Sequence, residues 1–221
     1  LSTVYDCADE ASRDAGITAA TSALKSGRLV VMPTDTLYGI AADAFDSSAV
    51  ADLLAAKRRG RDMPVPVLVG SWHTIDGLVF SVRPQARDLI RAFWPGALSL
   101  VVQAAPSLAW DLGDTRGTVM LRMPLHPVAL ELLRAVGPLA VSSANVSGQP
   151  PATTVEQARE QLGSLASVYL DGGPAEHAVA STIVDLTADQ PRVLREGAVP
   201  VADIAEVLGM APEALTSSAN R

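Results

Sequence analysis

Short aliphatic runs, each cut off by proline, glycine or a polar cluster, alternate along this chain with stretches of helical apolar spacing. No other feature constrains the fold as much, because alternating strand and helix signals favour an α/β layered domain over segregated architectures. Apolar stretches such as Leu29–Pro33 and Leu98–Val102 fall far short of the roughly 18–20 residues that a membrane-spanning helix needs. A transmembrane helix is therefore excluded and no membrane partner is expected. The 221 residues suit one large domain at roughly 100–200 residues per domain, read as 1–209 followed by a short tail, 210–221, with no second domain. With 48% hydrophobic but only 4% aromatic residues, the core must be aliphatic.

The spacing of Ala11, Ala15, Ala19, Ala20, Ala23 and Leu24 predicts a helix over Glu10–Lys25, stopped at Gly27. Arg28–Met32 reads as a buried strand feeding the loop Pro33–Gly39. Further helices are predicted over Ser47–Arg59, Pro84–Phe93, Val128–Val136 with Pro127 in its first turn, Val155–Leu162 behind a Thr154 and Gln157 capping box, and around Val201–Leu208. Strands are predicted over Val65–Val69, Leu98–Gln103, Thr118–Arg122, Leu139–Ser142, Val168–Leu170, Thr182–Leu186 and Arg192–Leu194, with Ala104–Gly117 as a loop and Ala211–Arg221 as a frayed polar tail.

A net charge of −7, from 17 basic and 24 acidic residues, argues against a protein that coats nucleic acid non-specifically, while leaving room for a local basic site. Cys7 stands alone, so no internal disulfide and no zinc site of paired thiolates is expected. His73, His126 and His177 lack ligand spacing, so no protein-held metal is expected either. The N-terminus carries neither the basic stretch nor the apolar core of a secretory signal, and the cytoplasm is the expected compartment.

Three segments carry candidate chemistry. Pro33-Thr34-Asp35-Thr36-Leu37-Tyr38-Gly39 gathers hydroxyls, a carboxylate and a phenol at a strand-to-loop junction; it reads equally well as a pocket wall or as an ordinary turn. Lys57-Arg58-Arg59-Gly60-Arg61 ends a predicted helix, where cations are favourable whether solvated or clamped on an anion. Lys57 and Arg59 diverge from one helix face unless the helix unwinds. Val141-Ser142-Ser143-Ala144-Asn145-Val146-Ser147-Gly148 runs a buried strand into small polar residues whose backbone N–H groups can cradle oxyanions. Neither a P-loop, a dinucleotide fingerprint nor the G-x-S-x-G context of a serine hydrolase is present.

With Lys57-x-Arg59, Trp94-Pro95-Gly96, Leu121-Arg122-Met123-Pro124, Ser142-Ser143-Ala144-Asn145-x-Ser147-Gly148, Ser181-Thr182-Ile183-Val184-Asp185 and Leu194-Arg195-Glu196-Gly197, the first loop completes seven motifs in order. Together they resemble the YrdC family, the L-threonylcarbamoyladenylate synthases, from about Ala20 to Val207. The resemblance implies a three-layer α/β fold with a twisted mixed sheet and a concave basic cleft. It further implies a reaction joining L-threonine, bicarbonate or CO2 and ATP into threonylcarbamoyl-AMP with release of pyrophosphate. Mg²⁺ would accompany ATP, and a separate tRNA threonylcarbamoyl-transfer complex would consume the product. By the family pattern Lys57, Arg59, Ser143 and Asn145 are the catalytic candidates. ATP would meet Lys57, Arg59, Arg61, Thr118, Ser143, Pro151 and Arg195, and threonine would meet Thr34, Thr36, Tyr38, Arg122 and Ser181, with Arg122 holding its carboxylate.

The stretch Asp62-Met63-Pro64-Val65-Pro66 departs from the family's commoner sequence, and about 20 residues follow the Leu194-Arg195-Glu196-Gly197 motif, too few for the extra domain of longer members. Lys57 is read as exposed, so that Lys57→Ala should remove nucleotide-dependent activity and leave folding intact. Two competing readings are an RNA-binding or ribosome-associated module with at most weak RNA contact, and a paralogue that adenylates another carbamoyl-type substrate.

Overall fold

The computed structural model describes residues 2–175 and 178–216, so His177 and the last five residues of the expected tail lie outside it. In chain order the elements are β1 (Thr3–Asp6), α1 (Glu10–Lys25), β2 (Leu29–Met32), β3 (Gly39–Asp43), α2 (Ser47–Ala56), β4 (Val67–Leu68), α3 (Pro84–Phe93), β5 (Leu98–Gln103), β6 (Thr118–Arg122), α4 (Pro127–Val136), β7 (Leu139–Ser143), α5 (Val155–Leu162), β8 (Ala166–Asp171), β9 (Thr182–Asp185), β10 (Arg192–Arg195), α6 (Val201–Leu208) and α7 (Pro212–Thr216). Among the described residues, no helix is long and apolar enough to cross a membrane.

The strands form one mixed sheet in the order β1-β8-β2-β3-β7-β4-β6-β5-β9-β10. Strand alternation divides the core between its two faces. Val30 and Met32 of β2 join Ile17, Ala20 and Leu24 of α1 and Val128, Leu132 and Leu133 of α4 on one face. Leu29 and Val31 turn to the other, against α2, α3, α5 and α6. The layered α/β reading is thus realised, with a core built from aliphatic side chains and Tyr38, Trp94 and Tyr169 as its buried aromatics.

α2 stops at Ala56, three residues before the expected end at Arg59. Arg58 enters the left-handed region at φ 52°. The N–H of Arg58 donates to Ala55 O and that of Arg59 to Leu54 O, both at 2.9 Å, which is the Schellman pattern usually signalled by glycine. β1 and β3 were not expected. β1 is a half-exposed edge strand without a clear alternation, and Gly-Ile-Ala-Ala-Asp in β3 lacks the branched residues that mark strands. Residues 212–216, read as part of a frayed tail, instead form α7 and bury Leu215 completely.

Thr182 shows how the C-terminal motif closes onto the sheet. Its fully buried hydroxyl accepts from Gly197 N (2.8 Å) and Val199 N (3.1 Å) and donates to Val199 O (2.6 Å). Gly197 is required there, since a Cβ would stand 2.1 Å from Ala180 O. Thr182→Val keeps the shape and orphans two N–H groups, so urea unfolding should show a loss of about 2–4 kcal/mol. A loss below about 0.5 kcal/mol would show that the hydroxyl does not hold this closure.

Candidate active-site cleft

α1 and α4 cover only part of their face of the sheet, and beyond them the sheet floors a cleft of about 330 Å³. Leu68 of β4, Met120 and Arg122 of β6, Ser99 of β5 and Ile183 of β9 form the floor, while Thr34, Thr36, Leu37, Tyr38, Gly39, Arg59, Pro64, Pro66, Val141, Ser142, Ser143, Pro151, Ala180, Ser181 and Arg195 complete the lining. Three lining residues are arginines and none is acidic. Of the residues expected at the site, the cleft therefore gathers Thr34, Thr36, Tyr38, Arg59, Arg122, Ser143, Pro151, Ser181 and Arg195.

Arg122 is only 7% exposed and is held on three sides. Its Nε donates to Gly96 O at 3.1 Å, Nη1 to Thr36 Oγ1 at 2.9 Å, and Nη2 to the carboxylate of Asp35. The Trp94-Pro95-Gly96 turn thus has a job in the site: Gly96 N donates to Met123 O, and its carbonyl fixes the guanidinium. Burial, with the neighbouring Arg195 charge, pulls the Arg122 pKa down, and Asp35 opposes this. Within the adjoining loop Thr34 Oγ1 donates to Leu37 O at 2.6 Å and accepts from the N–H groups of Thr36 and Leu37. Thr34 therefore shapes the turn, and Thr36 is the hydroxyl set against Arg122. Tyr38 borders the cleft, but its phenol is spent on Gly173 O at 2.6 Å, and burial raises its pKa.

Lys57 overturns its expected exposure. It is 3% exposed, and its Nζ donates to Asn145 O at 2.8 Å, to Asn145 Oδ1 at 3.2 Å and to Ser143 O. Ser147 N returns a bond to Lys57 O at 3.0 Å. Asn145 Nδ2 in turn donates to Val146 O and Gln149 O. Neither Lys57 nor Asn145 is in the cleft lining; both hold the loop that presents Ser143. The early exit of α2 sends Lys57 under this loop and Arg59 into the cleft. Arg59 is loosely bound: Nη1 to Ser142 Oγ and Nη2 to Pro64 O are each 3.4 Å, and its buried Nε has no partner among the described residues.

Two expected phosphate contacts are placed elsewhere. Arg61 is exposed and paired with Asp111 (2.7 Å) and Asp114 (3.5 Å), clasping the 105–117 loop to its own, because Asp114 N also donates to Arg61 O. The Thr118 hydroxyl closes a local turn onto Thr115 O at 2.8 Å. Sequence reasoning missed Ser99, Asp35 as the partner of Arg122, and the apolar lining of Leu68, Met120, Val141 and Ile183. Period-2 alternation in Leu98-Ser99-Leu100 marks Ser99 as facing away from the core and could have found it.

Burial, and then the Arg59 charge, lower the Lys57 ammonium from 10.5 to about 8. The neutral amine has only two N–H groups for the oxygens of Ser143 and Asn145. Affinity for an anion bound beside Ser143 and Arg59 should therefore fall as pH rises through about 8, and a flat profile between about pH 7 and 9 would refute this control. Lys57→Met should remove that limb and, by leaving Ser143 O and Asn145 O without their donor, lower stability by about 1–3 kcal/mol in urea unfolding.

The sequence profile of the Sua5/YciO/YrdC family, described as telomere recombination, matches residues 22–197. A protein of Mycobacterium tuberculosis strain H37Rv with the provisional name threonylcarbamoyl-AMP synthase is 69% identical over 210 residues, covering 95% of this chain and 97% of its own. The threonylcarbamoyl-AMP synthase of Bacillus subtilis strain 168 is 36% identical over 208 residues, 92% of this chain and 60% of its own. Among solved structures, Sua5 of P. abyssi complexed with L-threonine superposes with a TM-score of 0.88 at 32% identity, over 94% of this chain and 61% of that one. This chain thus spans about six tenths of the length of the Bacillus and P. abyssi proteins. The profile covers most of the chain, and the chain belongs to the Sua5/YciO/YrdC family.

Proposed function

We propose that this protein joins L-threonine, bicarbonate or CO2 and ATP into threonylcarbamoyl-AMP and pyrophosphate. The product would be passed in the cytoplasm to a separate complex that modifies tRNA. The observation that carries this reading is the contrast between two guanidinium groups in one cleft. Arg122 is charge-balanced by Asp35 and braced by Thr36, which suits the carboxylate of a zwitterionic amino acid. The nearby apolar side chains of Leu68, Met120 and Ile183 suit a methyl group. Arg59 has an open, buried Nε and only long contacts to neutral oxygens, which suits a polyanion. Phosphoryl-type displacement asks the protein mainly to position its reactants and stabilise charge, and this falls to Ser143 and Arg59, because the N–H groups of Ala144, Asn145, Val146 and Ser147, expected to cradle oxyanions, are spent on Tyr38 O, Ser143 O, Gln161 Oε1 and Lys57 O.

A carbamate is already anionic, so its attack on the α-phosphorus needs no general base at that step. Mg²⁺ would enter on the phosphate oxygens of ATP and neutralise their charge. Among the described residues no three of His, Cys, Asp and Glu converge to hold a metal, while the cleft hydroxyls fit a phosphate-borne cation.

Pyrophosphate release from ATP with bicarbonate and Mg²⁺ should depend on threonine and be much weaker with serine; no release with either amino acid would overturn the reading. In the same assay Arg122→Ala should raise the KM for threonine about 10- to 100-fold, the range of a charge-assisted hydrogen bond, and that for ATP less than about threefold. Equal rises would assign Arg122 a purely structural role.

A further inference from the structure

Ser99 stands in the floor of the cleft, and nothing in the sequence motifs gives it a task. Leu98 and Leu100 on either side are buried in the core, so alternation turns Ser99 to the cleft, where it is 4% exposed and part of the lining. Its strand neighbours fix it closely. Ser99 pairs with Ile183 of β9, and the register joining Leu100 to Leu121 puts it opposite Arg122 of β6. Its Oγ is 2.9 Å from Ser181 Oγ. Ser181 Oγ also accepts from Arg195 Nη2 at 3.3 Å, while Ser181 O accepts from Arg195 Nη2 at 2.7 Å and Nε at 3.1 Å.

A hydroxyl has one proton to donate and two lone pairs, whereas guanidinium can only donate and carboxylate can only accept. Arg195 therefore takes one lone pair of Ser181. If Ser99 donates into the other, the proton of Ser181 has no acceptor within the trio and is free for the cleft. If Ser181 donates to Ser99 instead, that proton is used up and the cleft loses a donor. An acceptor-only ligand beside Arg122 selects the first arrangement. We propose that Ser99 is a positioning residue for the amino-acid carboxylate: by donating to Ser181 it turns the Ser181 proton toward that carboxylate. This rests on the threonine reading of the cleft given above.

The test is steady-state pyrophosphate release and calorimetric threonine binding for the wild type, Ser99→Ala, Ser99→Thr, Ser181→Ala and the Ser99→Ala/Ser181→Ala double variant. Ser99→Ala removes the neutral hydrogen bond that orients Ser181 and not the Ser181 donor itself, so it should raise the KM and Kd for threonine about fivefold, with the KM for ATP changed less than about twofold. Ser99→Thr, which keeps a hydroxyl, should recover threonine affinity to within about threefold. In the Ser181→Ala background, Ser99→Ala should have no further effect on threonine. Unchanged threonine affinity in Ser99→Ala, parallel rises for threonine and ATP, or additive losses in the double variant would each overturn the positioning role while leaving the synthase reading standing. A wild type with no threonine-dependent release would overturn both.

Discussion

A buried ammonium held only by neutral oxygens organises the rest of the site. Lys57 draws its partners from the backbone and amide of the 143–147 loop, with no carboxylate among them. Burying a cation without an ionic partner is unfavourable, and the depressed Lys57 pKa records that cost. A carboxylate in this position would have relieved it, but would also have neutralised the ammonium that sits against Ser143. With neutral ligands the charge is retained beside Arg59, and in the function proposed above a polyanion entering the cleft would supply the compensation that the protein withholds. The same bonds fix the end of α2 against the end of β7, so one interaction sets both the shape and the charge of this wall.

The cleft itself is a consequence of incomplete coverage. On one face, α1 and α4 pack over β2, β3, β7 and β8, whereas β5, β6 and β9 carry their outward residues into open space. On an open sheet those positions would hold solvated polar side chains. Here they alternate between apolar Met120 and Ile183 and the polar groups Ser99 and Arg122, with Leu68 of β4 alongside, a mixture suited to enclosing a small amphiphilic ligand. The other face cannot serve in this way, since Leu98, Leu100, Leu121 and Val184 are consumed by the core beneath α3 and α6. Function and folding thus divide the two sides of the same strands.

What was legible in the sequence follows the range of the interactions involved. α1, α3, α5 and α6 have the expected bounds because their apolar spacing and caps are local, as with Asp9 accepting from Ser12 N at 2.8 Å. The ordered motifs brought nine expected residues to one cleft, but they could not say which face of it each side chain serves. Lys57 read as exposed because four cations in five residues look solvated; only the arrival of residues 143–147 from far along the chain buries it. Arg61 read as a phosphate ligand because its partners, Asp111 and Asp114, lie in a loop with no local pattern. β3 was missed because its small residues fit close neighbours, not a propensity scale: a Cβ on Gly39 would meet Val141 Cγ1 at 2.6 Å.

The exit of α2 shows how tertiary bonds can override a local rule and deliver chemistry by doing so. Arg58 occupies the left-handed position that glycine normally takes, a conformation costing roughly 1–2 kcal/mol for an ordinary side chain. Had the helix continued to Arg59, Lys57 and Arg59 would have diverged by about 200°, two steps of a 3.6-residue turn, with no fixed relation to the loop after β7. The turn at Arg58 instead separates them by environment. Lys57 goes beneath the loop, where its bonds to Ser143 and Asn145 hold the turn in place, and Arg59 goes to the front, where its Nε remains open. The unfavourable backbone at Arg58 and the unfavourable burial at Lys57 are therefore linked. Each is maintained by contacts with the loop after β7, and together they leave an under-bonded guanidinium in the lining of the cleft.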